Sequence, residues 1–151
     1  MLGMKKYPKE YIDACRSRVD ADLAAYRKLA AATKNLPATN KTAIEAFETT
    51  FFNNMVLMLD YLFVHRLTGI EGKDGNPLNE VRVLCDSMLG SSPARRVYRG
   101  GNNMMTADES IKLSPEKSVL KYQTGDQIRL KEADFLRLSE AFFAEIEGRY
   151  L

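Results

Sequence analysis

The stretch Phe51-Phe52-Asn53-Asn54-Met55-Val56-Leu57-Met58-Leu59-Asp60-Tyr61-Leu62-Phe63-Val64 decides the fold. It is the most apolar run in the chain, interrupted only by Asn53, Asn54 and Asp60. Three such groups in hydrocarbon would be costly, so the run reads as a buried helix and not as a membrane span. Its main apolar line, continued backwards, is Ile44, Phe47, Phe51, Met55, Met58 and Leu62, at three- and four-residue steps. Phe52, Val56, Leu57, Leu59, Phe63 and Val64 widen that line almost all round. A helix apolar on most sides belongs in the middle of a bundle. Asn40 is its expected N-cap, about Leu67 its end, and Gly69 the glycine beyond that end.

Working outward, a preceding helix is expected from about Pro8 to Ala32. Ile12, Cys15, Val19, Leu23, Tyr26 and Ala30 form its stripe, and the stretch from Asn35 to Thr39, with Pro37, ends it. On the other side, Gly72-Lys73-Asp74-Gly75-Asn76-Pro77 is turn chemistry, in which Asn76 can cap and Pro77 fits a first helical position. The third helix then runs to about Leu89 with Leu78, Val81, Leu84, Cys85 and Met88 inward, and Gly90 stops it. Residues 90–110 read as an irregular loop, of the kind that is either mobile or functional. Ile111-Lys112-Leu113 and Gln127-Ile128-Arg129-Leu130 alternate in polarity and are expected to pair as two short strands. A last helix follows from about Glu132 to Arg149, with Phe135, Leu138, Phe142 and Ile146 inward. The sequence thus predicts one all-α domain over residues 1–151: a bundle of four main helices with a minor β-hairpin-like segment before the last.

A length of 151 residues suits one core, and 45% apolar with 28% charged residues is an ordinary soluble balance. The net charge of +2 gives no general pull toward nucleic acid or an anionic membrane. Arg95, Arg96 and Arg99 beside Tyr98 are the one local basic group that could hold a nucleic acid, and the rest of the chain offers no basic face to extend it. The start has no apolar signal region, and Gly3 is one place too late for myristoylation. Cys15 and Cys85 stand apart as small hydrophobes, which fits a reducing, cytoplasmic setting.

The informative residues are polar ones in apolar company. At 100° per residue, Asn54, Met58, Tyr61 and His65 share one edge of the central helix. Asn54, Tyr61 and His65 are therefore expected to border the core, with Asp22 of the first helix facing them. Asp60 and Asn53 fall on the opposite, most polar side. This edge reads either as a ligand pocket or as an internal hydrogen-bond network that fixes helix register. The corner that follows collects His65, Arg66, Lys73, Asn76, Asn79 and Arg82 around a helix N-terminus. That is a setting for a small anion, or equally for plain capping of two helix ends, with Arg82 and Asp86 as a solvated pair.

Complete catalytic motifs are missing. Gly69 to Lys73 has the wrong spacing for a phosphate loop, and Asp74-Gly75-Asn76 lacks the later carboxylates of a calcium loop. The single histidine has Leu62 three places before it where a di-iron bundle would place glutamate, and no G-x-S-x-G elbow exists. No catalytic set, cofactor or metal is expected.

From Phe51 onward the chain resembles a family of uncharacterised, mostly actinobacterial proteins. The residues that carry the resemblance are Phe52-Asn53-Asn54-Met55-Val56-Leu57, Phe63-Val64-His65-Arg66 and Glu71-Gly72-Lys73-Asp74-Gly75-Asn76-Pro77-Leu78-Asn79-Glu80-Val81-Arg82. It continues in Ser118-Val119-Leu120, Gly125-Asp126 and Ala141-Phe142-Phe143-Ala144-Glu145-Ile146-Glu147, and covers roughly two-thirds of the chain. It implies no activity, since that family has none established.

The expectation is therefore a binding or interaction module with a polar corner. Its ligand set would be Asn54, Tyr61, His65, Arg66, Lys73, Asn79 and Arg82, for a small anionic ligand or a protein partner, and a homodimer is compatible with it. The alternative is an enzyme using His65 as general acid or base, oriented by Asp22, Asp60 or Glu71.

Overall fold

A computed structural model of the chain describes residues 3–90, 103–106 and 113–151. Among them the fold is all-α, with helices α1 (Lys9–Thr33), α2 (Lys41–Leu62), α3 (Thr68–Glu71), α4 (Pro77–Leu89) and α5 (Glu132–Tyr150). The helices α2, α4 and α5 pack on one another, and α1 leans on α5. The core is continuous across all four long helices, with Ile12, Phe52, Phe63, Leu84, Phe135 and Phe142 fully enclosed. Each such side chain contributes about 1.5–3 kcal/mol by leaving water. No described helix is long and apolar enough to cross a membrane.

Local chemistry sets most boundaries. Asn76 accepts hydrogen bonds from the Leu78 and Asn79 amides, Pro77 opens α4, and Gly90 closes it in the left-handed region at φ 60°. A 3₁₀ turn over Ala38–Asn40 leads into α2, and the Asn40 side chain makes no cap there.

The end of α2 departs from expectation. It stops at Leu62 and not near Leu67, although residues 63–66 hold neither glycine nor proline. The cause is tertiary. An N-terminal strap runs parallel to residues 65–67, with the Met4 amide donating to the His65 carbonyl at 2.6 Å and the Leu67 amide to the Met4 carbonyl at 2.9 Å. Those two bonds need extended backbone, so the helix gives way. Gly69 consequently lies inside α3, and the stop is Gly72 at φ 74°, a conformation that favours glycine.

The buried line of α2 also lies one residue from the predicted one. Phe52, Met55, Val56, Leu59 and Phe63 face the core, whereas Phe47 is exposed and Phe51 half-buried. The expected hairpin is corrected too. No strand forms among the described residues; Ile111 and Lys112 lie outside them, as do Arg95, Arg96, Tyr98 and Arg99. Gln127 bridges Met104 instead, and the Ile128 amide donates to the Asn103 carbonyl at 2.7 Å. The other edge of this segment is satisfied by a side chain. The Asn53 amide donates to the Ile128 carbonyl at 3.0 Å and accepts from the Leu130 amide at 3.2 Å, acting as a peptide group would in a neighbouring strand.

Candidate functional site

Two arrangements occupy the region that the sequence singled out. The first is a closed charge cluster centred on Glu71, whose side chain is 2% exposed. Its Oε1 accepts from Asn79 Nδ2 at 3.1 Å and Arg82 Nε at 3.0 Å; its Oε2 accepts from Arg66 Nε at 2.9 Å and from the Arg82 guanidinium. Arg66, equally enclosed, spends its other nitrogens on the Asp60 carboxylate at 2.8 Å and the Phe63 carbonyl at 3.1 Å. Arg149 of α5 donates to the Glu71 carbonyl at 3.1 Å and also reaches Asp74 and Glu145. Asn76 Nδ2 donates to the same carbonyl at 2.8 Å. Burial pushes the Glu71 carboxyl up, but the Arg82 and Arg66 guanidiniums and the Asn79 amide outweigh it and hold the group below its ordinary value.

This arrangement ties the end of α2, all of α3, the start of α4 and the end of α5 into one corner. Arg66 and Arg82 share one carboxylate and the nearby helix N-terminus is capped by Asn76, so the anion-binding elements expected here are already engaged. Arg82 directs its side chain to Glu71, across the corner, and not chiefly to Asp86 as expected.

The second arrangement is an open recess of about 390 Å³ on the other side of the strap. Met4, Tyr7 and Tyr11 form one wall, and Tyr61, Val64 and His65 the other. Large apolar groups stand in solvent around it: Tyr61 is 75% exposed, Val64 52%, Met4 42% and Tyr11 40%. The walls are held firmly from behind. The Tyr7 amide donates to the Tyr150 carbonyl at 2.6 Å, the Tyr11 hydroxyl to the Leu62 carbonyl at 2.5 Å, and the Tyr150 hydroxyl to the Leu67 carbonyl at 2.9 Å. Tyr7 and Tyr11 stack at 5.5 Å and both set their edges against Phe63. Burial, then the neighbouring Cys15, pushes the Tyr11 phenol up to about 12, so it stays a protonated donor. Among the described residues the buried Tyr7 hydroxyl has no hydrogen-bond partner. Gly3 is required by the strap's approach: a Cβ there would lie 2.9 Å from the Leu67 Cα.

The seven predicted site residues therefore divide. Arg66, Asn79 and Arg82 meet on Glu71. Tyr61 and His65 meet in the recess. Asn54 and Lys73 are exposed and join neither group. The expectation for the two asparagines of α2 is reversed: Asn53 is buried and bonded, Asn54 faces outward. Asp22 sits with Arg18 at 3.4 Å, not with Asn54 or Tyr61. The three carboxylates considered as partners for His65 all engage arginines, Asp22 with Arg18, Asp60 with Arg66, and Glu71 with Arg66 and Arg82. Sequence reasoning missed Glu71 as the hub, Arg149, and the strap residues Met4, Tyr7 and Tyr11. The nearest signal was Met4 and Tyr7 just before α1, with Tyr11 in its first turn. Among the described residues no group of three His, Cys, Asp or Glu side chains is placed to hold a metal ion. Comparison with family models, curated proteins and solved structures finds no match.

Proposed function

We propose that the chain is a non-catalytic interaction module, and that its recess holds an apolar, acid-flanked segment of a protein partner. One observation carries this reading: a preformed aromatic hollow of about 390 Å³ whose rim leaves Tyr61, Val64, Met4 and Tyr11 substantially in water. Soluble surfaces rarely leave several large apolar groups together without use, and tyrosine and methionine are enriched where proteins meet. Lys5 and Lys6 are exposed on the strap beside the hollow, which favours acidic residues flanking the bound segment. The Glu71 cluster supports the site from behind by fixing the backbone of residues 63–72. It is not itself the binding surface, because its guanidiniums are occupied.

The test is a photo-activated cross-linking residue at position 61, in cells that make the protein naturally. A discrete protein adduct is expected at 61, absent when the same residue replaces the exposed Glu116, and lost when Val64→Asp is added. No adduct specific to position 61 overturns the reading. If native mass spectrometry then finds a small anion retained and released by Arg82→Ala, the ligand is a small molecule at the corner instead.

A further inference from the structure

At the opposite end of α1 and α2 lies a second surface, separate from the recess. From residue 24 to residue 50 no side chain is buried. This span holds the last ten residues of α1, the connection, and the first ten of α2, so each helix projects by about 15 Å. Two helical segments this short gain little from their own hydrogen bonds and need a packed face. Tyr26 and Phe51 meet the core at Phe52, at 4.7 and 5.1 Å, and beyond that point the rings pack on one another, Tyr26 on Phe51 at 5.3 Å and Phe47 on Phe51 at 6.0 Å. Between the helices runs an apolar groove of about 190 Å³, lined among others by Leu29, Leu36, Ile44 and Phe47. Leu29, Leu36 and Phe47 are 46%, 48% and 46% exposed.

The charges say what covers it. No acidic residue occurs from Lys28 to Ile44, and Lys34 and Lys41 mark the tip. No lysine or arginine occurs between Lys41 and Arg66, and Asp22, which also meets the exposed Arg18, and Glu48 mark the base of the hairpin; Lys41 has only Glu45 near it, at 3.9 Å, among the described residues. By helix rise, Asp22 is about 16 Å and Glu48 about 10 Å back from the tip. Two copies laid antiparallel about a two-fold axis place each lysine tip over the other copy's acidic base, twice, while the apolar grooves face each other. A purely anionic surface, such as a lipid membrane, would meet the lysines but be repelled by Glu45 and Glu48. We infer that the projecting α1–α2 hairpin is a homodimer interface, closing into a four-helix arrangement with a second copy of this chain.

Analytical ultracentrifugation of the full chain tests this. A dimer is expected at about 100 µM. Phe47→Asp should raise the dissociation constant at least about tenfold with an unchanged far-UV circular dichroism spectrum. Leu36→Asp, in the connection between the helices, should do the same and serves if Phe47→Asp perturbs the fold. Reversing the tip (Lys34→Glu with Lys41→Glu) or the base (Asp22→Lys with Glu48→Lys) should each give monomers. An equimolar mixture of those two should dimerise again, because tip and base are then complementary in both directions. The inference is overturned by a wild-type monomer at about 100 µM, by a dimer that none of these changes weakens, or by a mixture that stays monomeric. A monomeric wild type that co-sediments with phosphatidylserine vesicles would overturn it in favour of a membrane surface.

Discussion

The Glu71 carboxylate receives four hydrogen bonds from three side chains while almost wholly enclosed. Removing its charge leaves Arg66 buried with only Asp60 to balance it. Glu71→Gln is therefore expected to cost about 3 kcal/mol, at the lower end of what breaking a buried ion pair costs. Denaturant unfolding at neutral pH measures it. The sign of the pH dependence follows from the lowered carboxyl. A group held below its ordinary value of 4.5 contributes fully above that value, and loses the contribution as pH falls through its folded value. The gap between wild type and Glu71→Gln should thus narrow as pH drops below 4.5. Glu80 works in the opposite sense. Burial raises its carboxyl despite the Leu120 and Val119 amides that donate to it, so protonation on acidification favours the fold. The wild-type profile mixes both groups, and the difference between wild type and variant isolates Glu71.

Among the elements, α3 is the least able to stand alone: it is four residues long and exists because its surroundings hold it. Asn76 joins it to α4, since one amide caps the α4 N-terminus and donates to the Glu71 carbonyl. Asn76→Ala should cost about 2 kcal/mol, the loss of a cap plus a weakened buried carbonyl. Asn76→Asp should recover the capping part only, because it keeps the acceptor and loses the donor. Thermal unfolding of the two variants separates the terms; equal losses would mean that the cap contributes nothing, and no loss in Asn76→Asp would mean that the tie to Glu71 contributes nothing. The central helix α2 serves three roles along its length. Its first half forms the projecting hairpin, its middle packs in the core and pins residues 128–130 through Asn53, and its end opens into the recess.

For the molecule as a whole, the recess and the hairpin tip lie at opposite ends of α1, roughly 37 Å apart by helix rise. They should be separable, since sites that distant and without shared partners act independently. Gly3→Ala forces the strap off Leu67 and should reduce cross-linking at position 61 while leaving the oligomeric state unchanged. Phe47→Asp should do the reverse. If either change moved both readouts, the two surfaces would be parts of one interface.

The stripe of α1 as far as Leu23, those of α4 and α5, the Asn76 cap, Pro77 at the start of α4 and Gly90 at its end were legible in the sequence, because each follows from local periodicity or capping; Tyr26 and Ala30, expected to continue the α1 stripe, are only half-buried. The all-α class was legible too. The phase of α2 was not. A helix apolar on most sides has no sharp polar face to orient it, so whether Asn53 or Asn54 turned inward was decided by the arrival of residues 128–130. The break at Leu62 was equally invisible, since it comes from a strap some sixty residues earlier in the chain competing for the backbone of residues 65–67. Arg66, Asn79 and Arg82 could be nominated from residue type and proximity in sequence. That they would be spent on one enclosed glutamate, leaving Tyr61 and His65 to a separate hollow, depended on where that break let the chain turn. Local periodicity and capping are short-range and can be read along the chain. The fate of a buried charge is set by every group that closes around it, and here those groups span from Asp60 to Arg149.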